Sequence, residues 1–366
     1  MKKLFPFVIV ILLNGCAGTR QIKTAAGSLK DTYKKDFLIG AAISWRQVEE
    51  KDPVARELVP RQFNTVTPEN LMKEMELTSA WGTYDFSRAD RFVDFAKANH
   101  LQVNGHTLVW HSQMPDFARR IQSADSFRTF FTDHIRKVAG HYSGKVQSWD
   151  VVNEALNEDG TLRSSPFLNK LGANYIVDAF KLTQEVAPNT ALYYNDYNNE
   201  QPKKRAGCMA LIKKIQQAGV RIDGVGIQGH WHVGKLPFKD IEESILQYAA
   251  LGIKVAITEL DIEVLPRNFT GADVSRRMNV GAGSDPYANG LPETVQKQLA
   301  DDYGQLFALL LRHKDKISRV TFWGVHDGQS WLNNWPIAGR TSYPLLFDRK
   351  GNPKSAFYSV IKAKKK

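Results

Sequence analysis

The chain has 366 residues, 43% of them hydrophobic and 24% charged, which is the composition of an ordinary water-soluble globular protein. Lysine and arginine exceed the acids by 49 − 38 = 11. Four of those lysines (Lys362, Lys364, Lys365, Lys366) form a C-terminal tail and two more sit at the extreme N-terminus. No basic stripe with interleaved aromatics remains, so the excess does not describe a nucleic-acid partner.

Taken in chain order, residues 1–16 (MKKLFPFVIVILLNGC) place two lysines before an apolar run too short for a comfortable membrane span. They read as an export signal. Leu13-Asn14-Gly15-Cys16 resembles a bacterial lipoprotein cleavage box, which would make Cys16 a lipidation site and the protein a lipid-anchored envelope protein of the outer membrane or periplasm. Plain secretion is the alternative. Residues 17–30 are small and polar, a tether. Residues 31–362 then read as one catalytic domain, followed by the basic tail 363–366. Cys208 is the other cysteine, so no disulfide forms within the mature chain; it sits in a helical stretch as a small buried hydrophobe. A monomer is expected.

Within the domain, eight short apolar runs alternate with helical stretches: 37–43, 63–67, 101–110, 146–154, 191–196, 224–230, 254–260 and 319–324. Ser87 with Asp90 reads as a capping box, the stretch 126–139 carries an aromatic stripe from Phe127 to Val138, and another helix stops before Pro188. Ile241, Ile245, Leu246 and Ala249 line a further helix closed by Gly252. The alternation predicts an α/β fold, a (β/α)₈ TIM barrel. An open doubly wound sheet is the competing topology, but no Gly-rich phosphate loop follows the first strand.

In such a barrel, polar residues at the C-terminal strand ends face the site. Collecting them gives Glu69, Asn70 and Lys73 after strand two, and His106, Trp110 and His111 on strand three. Asn153 and Glu154 follow on strand four, then Asn195, Asp196 and Asn198 on strand five. Strand six offers Gln228, His230 and His232, strand seven Glu259 and Asp261, and strand eight Trp323, Asp327 and Trp331. Amides and indoles dominate, which suits a polyhydroxylated ligand. Glu154 and Glu259, each ending an apolar strand, are the two carboxylates that breaking a glycosidic bond requires. A single such glutamate would more often cap a strand or pair at the surface. His230-x-His232 has the spacing of a zinc pair, but the neighbouring strand ends supply amides and tryptophans rather than further ligands. No metal or cofactor is expected. Serine-hydrolase chemistry finds no Gly-x-Ser-x-Gly elbow.

The segments TPEN with Lys73, GHTLVWH, WDVVNEA, YND, GIQGH, ITELD and TFWGVHDGQSWL, all in order over residues 30–362, together resemble glycoside hydrolase family 10. The resemblance implies a barrel endo-β-1,4-xylanase with a retaining mechanism, acting on xylan and xylo-oligosaccharides. Glu154 would be the acid/base and Glu259 the nucleophile. Glu69, Asn70, Lys73, His106, Trp110, Asn153, Gln228, His230, Trp323 and Trp331 would line the glycone side. A related barrel glycosidase acting on β-1,4-glucan or short β-glycosides would share both carboxylates, and a carbohydrate-binding protein would need neither. Two departures stand out: His326 where threonine is more usual, and a long segment after Asp261. From Leu265 to Leu291 that segment is rich in glycine and proline, and Arg276, Arg277 and Tyr287 are its candidate sugar contacts.

Overall fold

The structure, a computed structural model, describes residues 27–269, 271–281 and 283–365. The leader and Cys16 lie outside the described residues. Eight parallel strands close on themselves: β1 (Leu38–Ile43), β2 (Thr65–Pro68), β3 (Gln102–Trp110), β4 (Ser148–Asn153), β5 (Ala191–Asp196), β6 (Gly224–Ile227), β7 (Lys254–Glu263) and β8 (Ile317–Phe322). Each pairs with its neighbour in sequence, and β8 pairs with both β7 and β1, which closes the ring. This is the predicted TIM barrel. A helix connects each strand to the next or follows the last: α1 (Pro53–Gln62), α2 (Ser87–Ala98), α3 (Ala124–His141), α4 (Tyr175–Val186), α5 (Pro202–Gln217), α6 (Phe238–Ala249), α7 (Glu293–Arg312) and α8 (Ser355–Ala363).

The apolar runs became strands because both of their faces are covered. On the outward face, Trp149 of β4 is fully buried beneath α3, its ring 6.2 Å from Tyr142. Gly105 of β3 makes room for it, since a Cβ there would come within 2.3 Å of the indole. The α3 stripe of Phe127, Phe130, Phe131, Ile135 and Val138 is buried as its spacing predicts. Cys208 is buried on α5, and burial pushes its thiol up to about 12.

Two local predictions are corrected. Ser87 is the first residue of α2 rather than its cap; the Asp85 carboxylate, two residues earlier, accepts the Ser87 N–H at 2.9 Å. On α6, Leu246 is exposed and Ser244 and Tyr248 join Ile241 and Ile245 on the buried face, because the helix turns that edge toward β5 rather than centring the apolar stripe. The run 224–230 also breaks after Ile227 and resumes at His230–His232, which pairs with Asp261–Glu263 of β7.

A short helix, Leu29–Tyr33, takes in the end of the expected tether and docks on the barrel ahead of β1. Its Leu29 N–H donates to the Gln62 side chain at 3.0 Å, and the Tyr33 hydroxyl donates to the Val360 carbonyl at 2.6 Å.

Inside the barrel, polar groups form a floor. Asp150 of β4 accepts from Arg319 at 3.3 Å, from His106 Nδ1 at 3.0 Å and from Asn104 at 3.1 Å. The Arg319 guanidinium also lies 4.6 Å over the Tyr193 ring. A buried ion pair is expensive to break from one side, since the remaining charge is left desolvated. Arg319→Met is therefore expected to cost roughly 3–5 kcal/mol, the range for one-sided removal, measured by chemical denaturation against the parent.

Candidate active site

The site lies at the C-terminal mouth of the strands, in a cleft of about 590 Å³. Three strands arrive there with one extra residue each, seen as register slips. On β3, His106 faces Asp150 but Val109 faces Val152; on β4, Asp150 faces Tyr193 but Val152 faces Tyr194. On β7, Ile257 faces Val320 but Leu260 faces Phe322. Bulges re-aim the side chains that follow them. Trp110, Glu154 and Glu259 are the groups delivered just beyond or within these slips.

Glu154 is 4% exposed and stands in the left-handed region, with φ +55. That geometry is strained for a side chain with a Cβ, so the surroundings must hold it. Its N–H donates to the Asn195 carbonyl at 2.9 Å, and its own carbonyl accepts from Arg163 Nε at 3.0 Å. The next N–H, of Ala155, donates to the Tyr194 hydroxyl at 3.1 Å, which in turn donates to Asp196 at 2.5 Å. Asp196 is paired with the fully buried Lys204 at 2.9 Å. Arg163, Tyr194 and Lys204 were not legible as site residues, because each acts through a contact distant in sequence.

The carboxylate of Glu154 accepts from Trp110 Nε1 at 2.9 Å and from Gln228 Nε2 at 3.1 Å. Glu259, 6% exposed, accepts from Asn195 Nδ2 at 2.8 Å and meets His230 Nε2 at 3.2 Å. Between the two acids runs a row of amides: the Asn153 side chain lies 3.0 Å from that of Asn195 and 3.3 Å from that of Gln228. The Thr258 hydroxyl donates to Asn195 Oδ1 at 2.6 Å and fixes the orientation of that side-chain amide. Gly226 is required beside it, since a Cβ there would lie 2.2 Å from the same oxygen.

The two carboxyls hold protons with different strength. Burial drives the Glu154 carboxyl upward; the hydrogen bonds from Gln228 and Trp110 only partly oppose it, and the charge of Glu259 adds to the rise. Burial would raise Glu259 as well, but there it is outweighed by the hydrogen bond from His230, the electrostatic pull of His106 and His230, and the hydrogen bond from Asn195, and its carboxyl falls below the usual range. His230 is a cation by the same logic. Burial disfavours its imidazolium, yet the charge and hydrogen bond of Asp261, at 3.0 Å, and the hydrogen bond to Glu259 lift it to about 9. Trp331 Nε1 donates to the other Asp261 oxygen at 2.8 Å.

Around this pair, Glu69, Asn70, Lys73, His106, Trp323 and Trp331 line the cleft, as do Trp110, Asn153, Gln228 and His230. Lys73 donates to Asn70 at 3.0 Å and to Gln113 at 2.9 Å, and its ammonium lies 4.8 Å over the Trp110 ring. Gln113 is a lining residue that strand-end reading missed, for it follows the strand by three residues. Asn195 sits beneath the cleft rather than on its wall, and acts there through Glu259. Of the candidate contacts in the long segment, Arg277 lines the cleft with Ala272 and Val274. Arg276 does not, its guanidinium lying over Phe269, and the Tyr287 carbonyl is taken up by the Tyr343 hydroxyl.

The remaining strand-end groups are engaged elsewhere. His232 turns away from His230, its Nε2 lying 2.9 Å from the Leu265 carbonyl. Among the described residues no cluster of three or more His, Cys, Asp or Glu side chains is arranged to hold a metal. Asp327 is buried against Lys354 at 2.9 Å. His326, the unusual residue of its motif, meets Asp52 at the start of α1 at 3.0 Å and accepts the Gly328 N–H on Nδ1.

The His230 cation makes a pH prediction. A group raised in the folded state stabilises fully below its unfolded value, near 6.5, and loses that contribution as pH climbs through its folded value of about 9. The stability difference between the parent and His230→Gln should be largest below pH 6.5 and should shrink steadily by pH 9. Denaturant midpoints for both proteins across that range would check it.

Comparisons with known proteins agree with this geometry. The model of Glycosyl hydrolase family 10 matches residues 28–363. The chain is 37% identical to an endo-1,4-beta-xylanase A of Xylanibacter ruminicola, over 99% of each chain. It is 40% identical to a beta-1,4-xylanase of Dictyoglomus thermophilum, covering 92% of this chain and 90% of that one. Among solved structures, a GH10 endoxylanase from a sugarcane soil metagenome superposes with a TM-score of 0.87 at 41% identity, over 92% of this chain and 99% of the other. With its barrel, its paired glutamates and these matches, the chain belongs to glycosyl hydrolase family 10.

Proposed function

We propose that the protein is an endo-acting β-1,4-xylanase that cleaves xylan and xylo-oligosaccharides with retention of anomeric configuration. The observation that carries this reading is the pair of buried glutamates in one cleft whose surroundings push their proton affinities apart. One acid is biased toward its protonated form and the other toward its ionised form, the division of labour a double displacement needs.

In the first step the Glu259 carboxylate attacks the anomeric carbon while Glu154 gives its proton to the glycosidic oxygen. The C1–O bond breaks, the leaving sugar departs with that proton, and a glycosyl ester forms on Glu259. Esterification removes the negative charge that had been raising Glu154, so its proton affinity falls and it becomes a base. It then takes a proton from water as the oxygen attacks C1. The ester breaks, Glu259 recovers its charge and Glu154 its proton. Asn153, between Asn195 and Gln228, is placed to hold the sugar 2-hydroxyl, an interaction that strengthens in the transition state. His230, pinned by Asp261 and Trp331, serves Glu259 as a fixed cation. Glu69, Asn70, Lys73 and the indoles of Trp323 and Trp331 bind the sugars on the glycone side.

The test is made on xylohexaose and on variants. Early products followed by NMR should carry the β-anomer, with no comparable turnover of carboxymethylcellulose. Glu259→Ala should lose turnover with every substrate. Glu154→Ala should still be glycosylated by aryl xylobiosides, whose leaving groups need no proton, and azide should restore its turnover by about tenfold or more as the β-glycosyl azide. Initial α-products, or two variants that fail alike with azide present, would reject the assignment.

We further propose that the leader is cleaved before Cys16 and that this cysteine carries lipid, anchoring an exported monomer in the bacterial envelope. The apolar leader, Gly15-Cys16 and the small polar stretch behind them support it. Cys16→Ser should move the protein from the membrane to the soluble fraction. Unchanged fractionation would favour plain secretion.

A further inference from the structure

Between β7 and α7 the described residues from Val264 to Pro292 form no helix or strand, and part of this segment borders the cleft. Gly271 has φ +87, and a Cβ on it would lie 3.0 Å from the Tyr197 ring and 3.1 Å from the Asn198 amide. The backbone is thus seated on the exit of β5, at a spot only glycine can occupy. Two residues on, Asp273 lies 3.9 Å from Arg163, the residue that holds the Glu154 carbonyl. Ala272, Val274 and Arg277 form part of the cleft wall.

The other flank is tied to the loop after β8. Phe269 meets Trp335 edge-on at 5.6 Å, the Arg267 guanidinium lies 5.3 Å over the same indole, and the Met278 N–H donates to the Pro336 carbonyl at 3.2 Å. Trp335 in turn stacks on Trp331 at 4.4 Å. Beyond the segment lies a second hollow of about 570 Å³, reached over β5 and β6 and lined in part by Trp231, Lys235 and Phe269. His230 lines both it and the cleft.

Of the expected glycone-side groups, Glu69, Asn70, Lys73, His106, Trp110, Trp323 and Trp331 stand at β2, β3 and β8, whereas Asn153, Gln228 and His230 lie directly beside the acids of β4 and β7. A chain crossing between the acids must therefore leave over β5 and β6, where this segment lies. A small leaving group needs none of that space, whereas a long one has to pass the segment or displace it.

We propose that Gly271–Arg277, anchored by Phe269 on Trp335, is a specificity-determining strap that limits how much chain fits beyond the scissile bond. It favours short xylo-oligosaccharides over polymeric xylan. The inference rests on the xylanase reading and adds a substrate-length preference to it. Displacing the strap breaks ring contacts and a backbone hydrogen bond, so its cost falls on polymer binding and spares aryl xylobiosides.

Two variants test it. Phe269→Ala removes the anchor, and an equal-length Gly-Ser replacement of residues 272–277 removes the wall. Both should raise the ratio of kcat/KM on polymeric xylan to kcat/KM on 4-nitrophenyl xylobioside by about fivefold, with the gain in KM for xylan. Phe269→Ala should keep its aryl xylobioside rate within about twofold of the parent, since it touches none of the reacting groups. Near-UV circular dichroism establishes that each variant is folded, and the single substitution stands alone if the replacement is not. A ratio that stays constant or falls would overturn the strap while leaving the xylanase reading intact. A parent inactive on both substrates would reject the reading and the strap together.

Discussion

Two carboxyl groups buried in one cleft cannot both be left to solvent-free repulsion, and the site is arranged around that constraint. Burial favours the protonated form of both, and the charge of Glu259 adds to the rise at Glu154. A third carboxylate, Asp261, helps to set which of the two holds its proton more tightly. By holding His230 as a cation it supplies Glu259 with a positive neighbour, and Glu154 is left with neutral amide and indole donors. The asymmetry therefore originates outside the reacting pair, on the next inward-facing position of β7. Trp331 fixes Asp261 from the other side, so a residue of the cleft wall also steadies the charge balance.

Geometry follows from the same strands. A regular parallel ladder would present side chains alternately inward and outward with a uniform lean. The extra residues in β3, β4 and β7 break that regularity near the mouth, where the side chains must converge; a further slip between β7 and β8, at Val255/Ala256, lies at the base. Below, the Asp150–Arg319 floor fills the interior with hydrogen-bonded polar groups instead of aliphatic layers. Conformational precision is thus concentrated where chemistry occurs, and the helices with their apolar stripes supply the stability.

Much of this was legible in the sequence. Runs such as VQSWDVVNE and KVAITEL are β-branched, short and terminated by polar residues, and the barrel buries them on both faces, so their pattern survives into the fold. Glu154 and Glu259 could be read for the same reason: each ends its strand abruptly. Groups that act through distant partners were not visible. Arg163 looks like any loop arginine until its contact with the Glu154 carbonyl is seen, and Lys204 like any helical lysine until it is found fully buried against Asp196. Asn195 ends its strand like the groups that face the cleft, yet its side chain belongs to the support beneath. The path of the long segment depends on Gly271 meeting Tyr197 and Phe269 meeting Trp335, pairings that no local periodicity encodes.

The first helix, Leu29–Tyr33, marks where the described chain joins the barrel. Its contacts with Pro60 and Gln62 are at the C-terminal end of α1. A helix in this fold descends from the mouth to the base before the next strand rises, so those contacts are at the base. The chain therefore enters the described domain at the pole opposite the cleft. A surface that gripped the protein by its N-terminal segment would carry the barrel upright, like a cup on its foot, with the opening turned toward the surrounding medium. Bulky polysaccharide could then approach from above without being squeezed against the support.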